Sequence, residues 1–219
     1  MADPNGVSVA RQLQDFIQKE NILPGQRLPT HPELCQKLNV GLRRLREALS
    51  ILSQQGLVET RRRGGTIVKS PSVKVLSEPI AWQLEEKGYT FEDMVRARAA
   101  IESGIAEEAA KSRTAEDLLK MLVTVEKMLS SNKASKELDD ADEQFHLAIL
   151  TAAHNPVIEI FGQLIVEQFN HKSKANLYAT DNEFEKSNAL HQAIYHSIEK
   201  GNAEMARKLV YEHIMAQIK

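Results

Sequence analysis

The chain has 219 residues, with 28 Lys and Arg against 30 Asp and Glu, which is enough for a sizeable core in one large domain or two small ones. Its single cysteine, Cys35, excludes a disulfide framework and points to a reducing compartment. The first residues lack a basic stretch leading into an apolar core, and no run approaches the roughly 18 apolar residues of a membrane span, so a cytoplasmic protein with no membrane partner is expected.

The net charge of −2 conceals a split. Residues 1–69 hold 11 basic and 6 acidic side chains, a balance of +5, while residues 70–219 hold 17 and 24, a balance of −7. A basic front on an acidic remainder predicts two modules, the first with a polyanionic partner.

In chain order, Val9, Leu13, Phe16 and Ile17 recur at helical spacing and predict a helix ending before Leu23-Pro24-Gly25. Thr30 with Glu33 forms a capping-box pattern, Pro32 suits the first turn of a second helix, and Leu34 and Leu38 form its inward pair. After Asn39-Val40-Gly41, the stretch LRRLREALSILSQQ predicts a third helix. Its apolar stripe is Leu42, Leu45, Leu49 and Leu52, widened by Ala48 and Ile51. Gly56 stands where a helix end calls for a left-handed residue. Leu57–Thr60 and Thr66–Lys69 follow as two short strands. Three helices and a hairpin make residues 1–69 a winged helix-turn-helix domain.

Ser70-Pro71-Ser72 opens a linker over 70–77. Beyond it, residues 78–219 are helical in pattern, with helices expected near 77–87, 91–111, 115–130, 136–153, 156–175, 183–199 and 203–217. Asn155-Pro156 and Gly201-Asn202 each end one helix and cap the next. The expected fold is therefore mainly α: an N-terminal winged helix-turn-helix, with three helices plus a β-hairpin wing, joined to a C-terminal antiparallel all-α bundle.

Two groups of residues carry chemistry. On the third helix Arg43, Arg44 and Arg46 lie off the apolar stripe, and the planar fork of arginine suits phosphate oxygens or a guanine edge. The wing tip adds Arg61, Arg62 and Arg63, with Gly64 and Gly65 allowing close approach to a duplex. A solvated turn is the ordinary fate of an isolated charge run, but here the helix pattern predicts the same basic surface. Double-stranded DNA is the expected partner.

In the second module Asp142 and His146 are four residues apart and share a helix face. His191 precedes the Gly201 turn by ten residues and His213 follows it by twelve, which places both at nearly one height in an antiparallel hairpin. One carboxylate and three imidazoles can thus converge on a divalent ion such as Zn²⁺, Ni²⁺ or Mn²⁺. Three unrelated core or surface histidines fit the spacing equally well.

The stretch PGQRLPTHPELCQKLNVGLRRLREALSILSQQGLVETRRRGGTIV is similar to the DNA-binding domain of GntR-family bacterial transcription regulators. Residues 78–219 resemble the FCD ligand-binding domain of the FadR-type subgroup, through VRARAAIE, DEQFHLAIL, AAHNP and LHQAIYHSIEKGNAEMARKLVYEHI. The resemblance implies a homodimer on a palindromic operator, contacted by Thr30, Arg43, Arg44, Arg46 and the wing around Arg63–Gly65. It implies a metal held by Asp142, His146, His191 and His213, with Zn²⁺ ahead of Ni²⁺ and Mn²⁺. It also implies a small carboxylate effector facing Arg98, with Asn155 as a further lining residue. A surface salt bridge to Glu102 is the alternative for Arg98, and helix capping the alternative for Asn155. His31, His154, His171 and His196 fall outside the metal set.

Two departures from the family pattern stand out. Thr30-His31-Pro32 replaces the usual Ser-Glu-Arg, and Gly41-Leu42 replaces the usual Ser/Thr-Arg at the start of the recognition helix. Family habit implies repression relieved by ligand rather than activation. The competing readings are a metalloenzyme on a DNA-targeting head, and a sensor in which the metal itself is the signal.

Overall fold

A computed structural model of the chain describes residues 6–61, 64–70, 72–130, 136–172 and 181–218. The chain divides into two compact units, residues 1–76 and 77–219.

The first unit contains α1 (Gly6–Lys19), α2 (His31–Leu38), α3 (Leu42–Gln54), β1 (Val58–Arg61) and β2 (Gly65–Val68). The strands pair antiparallel, from Val58 opposite Val68 to Arg61 opposite Gly65. A segment not expected as strand joins them: Leu28 N donates to Thr66 O and Val68 N to Gln26 O, with a bridge between Arg27 and Ile67. Its length is too short to show a period in the sequence.

Leu13, Leu34, Leu45 and Leu52 are fully buried and tie the three helices together, each worth about 1.5–3 kcal/mol of apolar burial. Leu42, expected in the α3 stripe, is instead 43% exposed. It is the first residue of α3, one turn ahead of Leu45, where the buried stripe begins. Gly56 adopts φ +70°, the left-handed conformation expected after α3.

The helix α4 (Val73–Glu86) begins inside the stretch 70–77 that was expected to be linker, with Pro79 in its interior. The helix expected near 77–87 thus starts four residues earlier, and Pro79 lies well past its first turn, where its missing N–H removes one helical hydrogen bond. The second unit continues with α5 (Phe91–Ser112), α6 (Ala115–Leu129), α7 (Lys136–Ala152), α8 (Pro156–Lys172), α9 (Asp181–Glu199) and α10 (Ala203–Met215), ending in a short 3₁₀ turn.

The centre of this bundle is α5, which packs against α7, α8, α9 and α10. Ala99, Ala106, Ala109 and Ala110 are all fully buried, and their small side chains let neighbouring helices approach closely. At the α9–α10 turn Gly201 takes φ +69° and Asn202 Oδ1 accepts from Met205 N at 3.1 Å. Arg113 donates to the Glu199 and Ala110 carbonyls at 2.9 and 2.8 Å, so one cation serves the C-terminal ends of α9 and α5. That fixed hairpin sets the relative heights of His191 and His213.

Candidate metal centre and nucleic-acid face

α7, α9 and α10 bring Asp142, His146, His191 and His213 together in the bundle core, each at most 5% exposed. One donor atom from each lies within 4.8 Å of every other. His191 Nε2 is 2.8 Å from Asp142 Oδ1, and His213 Nε2 is 4.0 Å from the same oxygen. His213 Nε2 is also 3.1 Å from His191 Nε2 and 3.3 Å from His146 Nε2.

A tetrahedral ion holding N and O ligands at about 2.1 Å needs donor atoms about 3.4 Å apart. The four separations given above, 2.8 to 4.0 Å, bracket that value, and all six pairs lie within 4.8 Å. Without a cation, the single Nε2 of His213 faces two other ring nitrogens and can share a proton with only one of them. The donor set therefore fits one small divalent ion.

The electrostatics agree. Burial alone would raise the Asp142 carboxyl, yet its bond to His191 and the nearby imidazoles hold it far below the ordinary range. Burial, then the charges of His191 and His146, keep His213 well below its ordinary value. An ionised carboxylate and a neutral imidazole are the forms a metal requires.

Behind His146 lies Glu102, which the sequence suggests only as a surface partner of Arg98 and not as a neighbour of the cluster. Glu102 Oε2 is 2.6 Å from His146 Nδ1, and Glu102 Oε1 accepts from Arg98 Nε at 2.5 Å. Arg98 and Glu102 are each 2% exposed, and the guanidinium carbon sits 4.3 Å from the centre of the Phe169 ring. The Arg98–Glu102 pair is thus present, but buried, not on the surface as the alternative reading had it. The signal was available: Val95, Ala99, Glu102, Ala106 and Ala109 form one helical stripe, which puts Glu102 on an apolar face. Burial would raise the Glu102 carboxyl, but Arg98 and His146 bring it below its usual value.

The remaining bundle candidates have ordinary roles. Asn155 is exposed and caps α8, accepting from Val157 N at 3.0 Å and Ile158 N at 3.3 Å. His154 bonds Asp117 at 2.7 Å and His196 bonds Glu199 at 3.0 Å. The side chain of His171 lies outside the described residues.

On the first unit, Thr30 is exposed at the start of α2, and its N–H and hydroxyl both donate to Glu33 at 2.7 Å. Arg43 and Arg44 bond Glu47 at 3.1 and 3.0 Å, and Arg61 bonds Glu59 at 2.7 Å. Arg46 has no acidic partner among the described residues, and it lines an open groove with His31, Ser50, Ser53, Gln54 and Thr60. Gly65 takes φ +74° at the start of β2. Arg62 and Arg63 lie outside the described residues. Among the described residues no helix is long and apolar enough to cross a membrane.

Comparison with known proteins follows the same division. Residues 6–68 match the family described as bacterial regulatory proteins, gntR family, and residues 93–216 match the FCD domain. The Uxu operon transcriptional regulator of Escherichia coli is 33% identical over 213 residues, covering 94% of this chain and 82% of the relative. LutR, an HTH-type transcriptional regulator of Bacillus subtilis, is 28% identical, with 91% and 93% covered. A GntR structure from Streptococcus agalactiae superposes with a TM-score of 0.81 at 24% identity, covering 96% of this chain and 97% of that one. These relatives are transcription regulators rather than enzymes, and this chain belongs to the GntR family of bacterial regulatory proteins, with an FCD domain as its second module.

Proposed function

We propose that this chain is a ligand-responsive DNA-binding transcriptional regulator. Its bundle holds a divalent metal on Asp142, His146, His191 and His213 and receives a small carboxylate beside it. The observation that carries this reading is the buried convergence of those four side chains, with a guanidinium two contacts away. The nitrogen-and-oxygen donor set suits Zn²⁺, Ni²⁺ or Mn²⁺ alike, and the family resemblance puts Zn²⁺ first. When bound, the ion would supply a positive centre that an organic acid could reach by taking a fifth coordination position beyond the four protein donors. Arg98 supports the effector class: beyond Glu102, its guanidinium has no hydrogen-bond partner among the described residues, and such a fork pairs well with a carboxylate. One relative of 31% identity is named as a regulatory protein of the L-lactate dehydrogenase operon, and lactate belongs to that class.

On the DNA side the proposed contacts are Thr30, Arg43, Arg44, Arg46, Arg61, Arg62, Arg63 and Gly65. The first turn of α3 enters the major groove and the wing follows the backbone. A homodimer would present two such heads to a palindromic operator. The acid acts by binding unequally to two arrangements of the chain, one of which fits the operator better. We take repression relieved by the acid as the sign, while the 28%-identical Glc operon protein is named an activator, so the sign must be measured.

The test screens small organic acids by thermal shift on Zn²⁺-loaded protein, then titrates hits into promoter-fragment gel shifts. A hit that raises the melting temperature and weakens the protein–DNA complex supports the whole reading. Tighter binding with a hit reverses the sign. No metal uptake, or no promoter fragment bound, removes the corresponding half.

A further inference from the structure

We infer that Glu102 is the positioning residue that makes His146 a metal ligand and ties it to Arg98. The inference rests on the metal reading above and concerns how that site is prepared. Glu102 Oε2 lies 2.6 Å from His146 Nδ1, off the axis of a well-aligned hydrogen bond but too close for two bare lone pairs, so the contact calls for a proton on one of the two atoms. Arg98, permanently charged, sits against the other oxygen of the same carboxylate, which keeps Glu102 ionised. The proton therefore belongs to Nδ1 of His146. That choice leaves the Nε2 lone pair free, and Nε2 is the atom facing His213 and the cluster.

The two oxygens of Glu102 thus divide their work: Oε1 is held by Arg98 and Oε2 sets the tautomer of His146. All three groups are at most 2% exposed, so no water replaces either contact cheaply. A further consequence concerns signalling. An acid drawn to Arg98 shares its positive charge, leaving Glu102 a stronger acceptor for His146 and His146 a stronger donor to the ion. Acid and metal would then favour one another, and thermodynamic linkage makes the effect reciprocal.

The substitution E102Q is nearly isosteric and separates the roles. Its amide oxygen still accepts from Arg98, but its NH₂ now faces His146 Nδ1 and forces the ring proton onto Nε2. Metal affinity is read by competing Co²⁺ between the protein and a chelator, and the tautomer by ¹⁵N NMR of the metal-free protein. We expect E102Q to bind Co²⁺ about 10–100-fold more weakly, with the His146 proton moved from Nδ1 to Nε2. Equal Co²⁺ affinity in both proteins, or an Nε2 proton in the metal-free wild type, overturns the inference. The wild-type tautomer needs no variant, so it remains decisive if E102Q fails to fold. Should the wild type take up no Co²⁺ at all, the metal reading fails, and the tautomer still decides whether Glu102 sets the ring.

Discussion

Arg46 and Arg98 are the same chemical group in opposite surroundings. Arg46 lies on the outer face of α3, exposed and without an acidic partner among the described residues. Arg98 is 2% exposed, clamped to Glu102 and stacked over Phe169. In the head, positive charge stays in water, where it costs little and remains available to a polyanion. In the bundle, charge is buried, and each buried ion must be paired to be tolerated at all. The first arrangement suits binding that depends on salt; the second suits a site whose geometry is fixed before its ligand arrives.

Several substitutions sharpen this contrast, beginning with the largest effect. His191→Ala removes one of four convergent donors and should lower metal affinity by more than the about 10–100-fold typical of losing a neighbouring positioning group. Metal content of the purified variant, measured by atomic emission, checks this; undiminished content would detach the histidine cluster from metal binding. Arg98→Met leaves the Glu102 carboxylate buried without its cation, and the bundle should lose about 3–5 kcal/mol of stability. Urea denaturation of metal-free protein reads that loss.

Arg46→Ala should leave stability within about 0.5 kcal/mol of wild type. The same variant should weaken operator binding about 10–100-fold at fixed salt. If Arg46→Ala instead destabilised the chain as much as Arg98→Met, the contrast between the two arginines would collapse.

Acid should act on the bundle first. His213 in the folded, metal-free protein is held below the 6.5 of a free imidazole. Below about pH 6.5 the unfolded chain therefore binds a proton that the folded bundle refuses, and stability falls by up to about 1.4 kcal/mol per unit. The loss continues until the pH reaches the lowered folded-state value. Asp142 acts in a separate window: its depressed carboxyl stabilises the fold above the ordinary 3.8, and that contribution is lost only as pH falls below it. Urea midpoints at pH 7, 6 and 5 test the first window. The smallest effect belongs to Glu47→Gln, which removes the negative charge that Arg43 and Arg44 share. Binding to non-operator DNA should rise a few-fold at low salt and return to wild-type strength at high salt.

Much of this architecture was written in local pattern. The periodicity of Val9, Leu13, Leu45, Leu49 and Leu52, the Asn155-Pro156 and Gly201-Asn202 boundaries, and the basic run on α3 all specify elements through contacts a few residues long. Even the candidate metal set was legible, because an i,i+4 pair and two histidines at matched distances from one turn are constraints of helix geometry. Local pattern misled where position along a helix decided burial, as with Leu42, and where a polar, proline-broken start hid the first turn of a helix, as with α4 inside the expected linker 70–77.

The sequence by itself thus determined which segments are helical, which face of each is apolar, and which donors could reach one height in the bundle. Only the tertiary structure decided that Arg98 and Glu102 lie inside it, and that one carboxylate spans a guanidinium and an imidazole of the four-residue cluster. Helix periodicity says which residues share a face; what that face meets depends on α5 being surrounded by α7, α8, α9 and α10, which no short stretch of chain encodes.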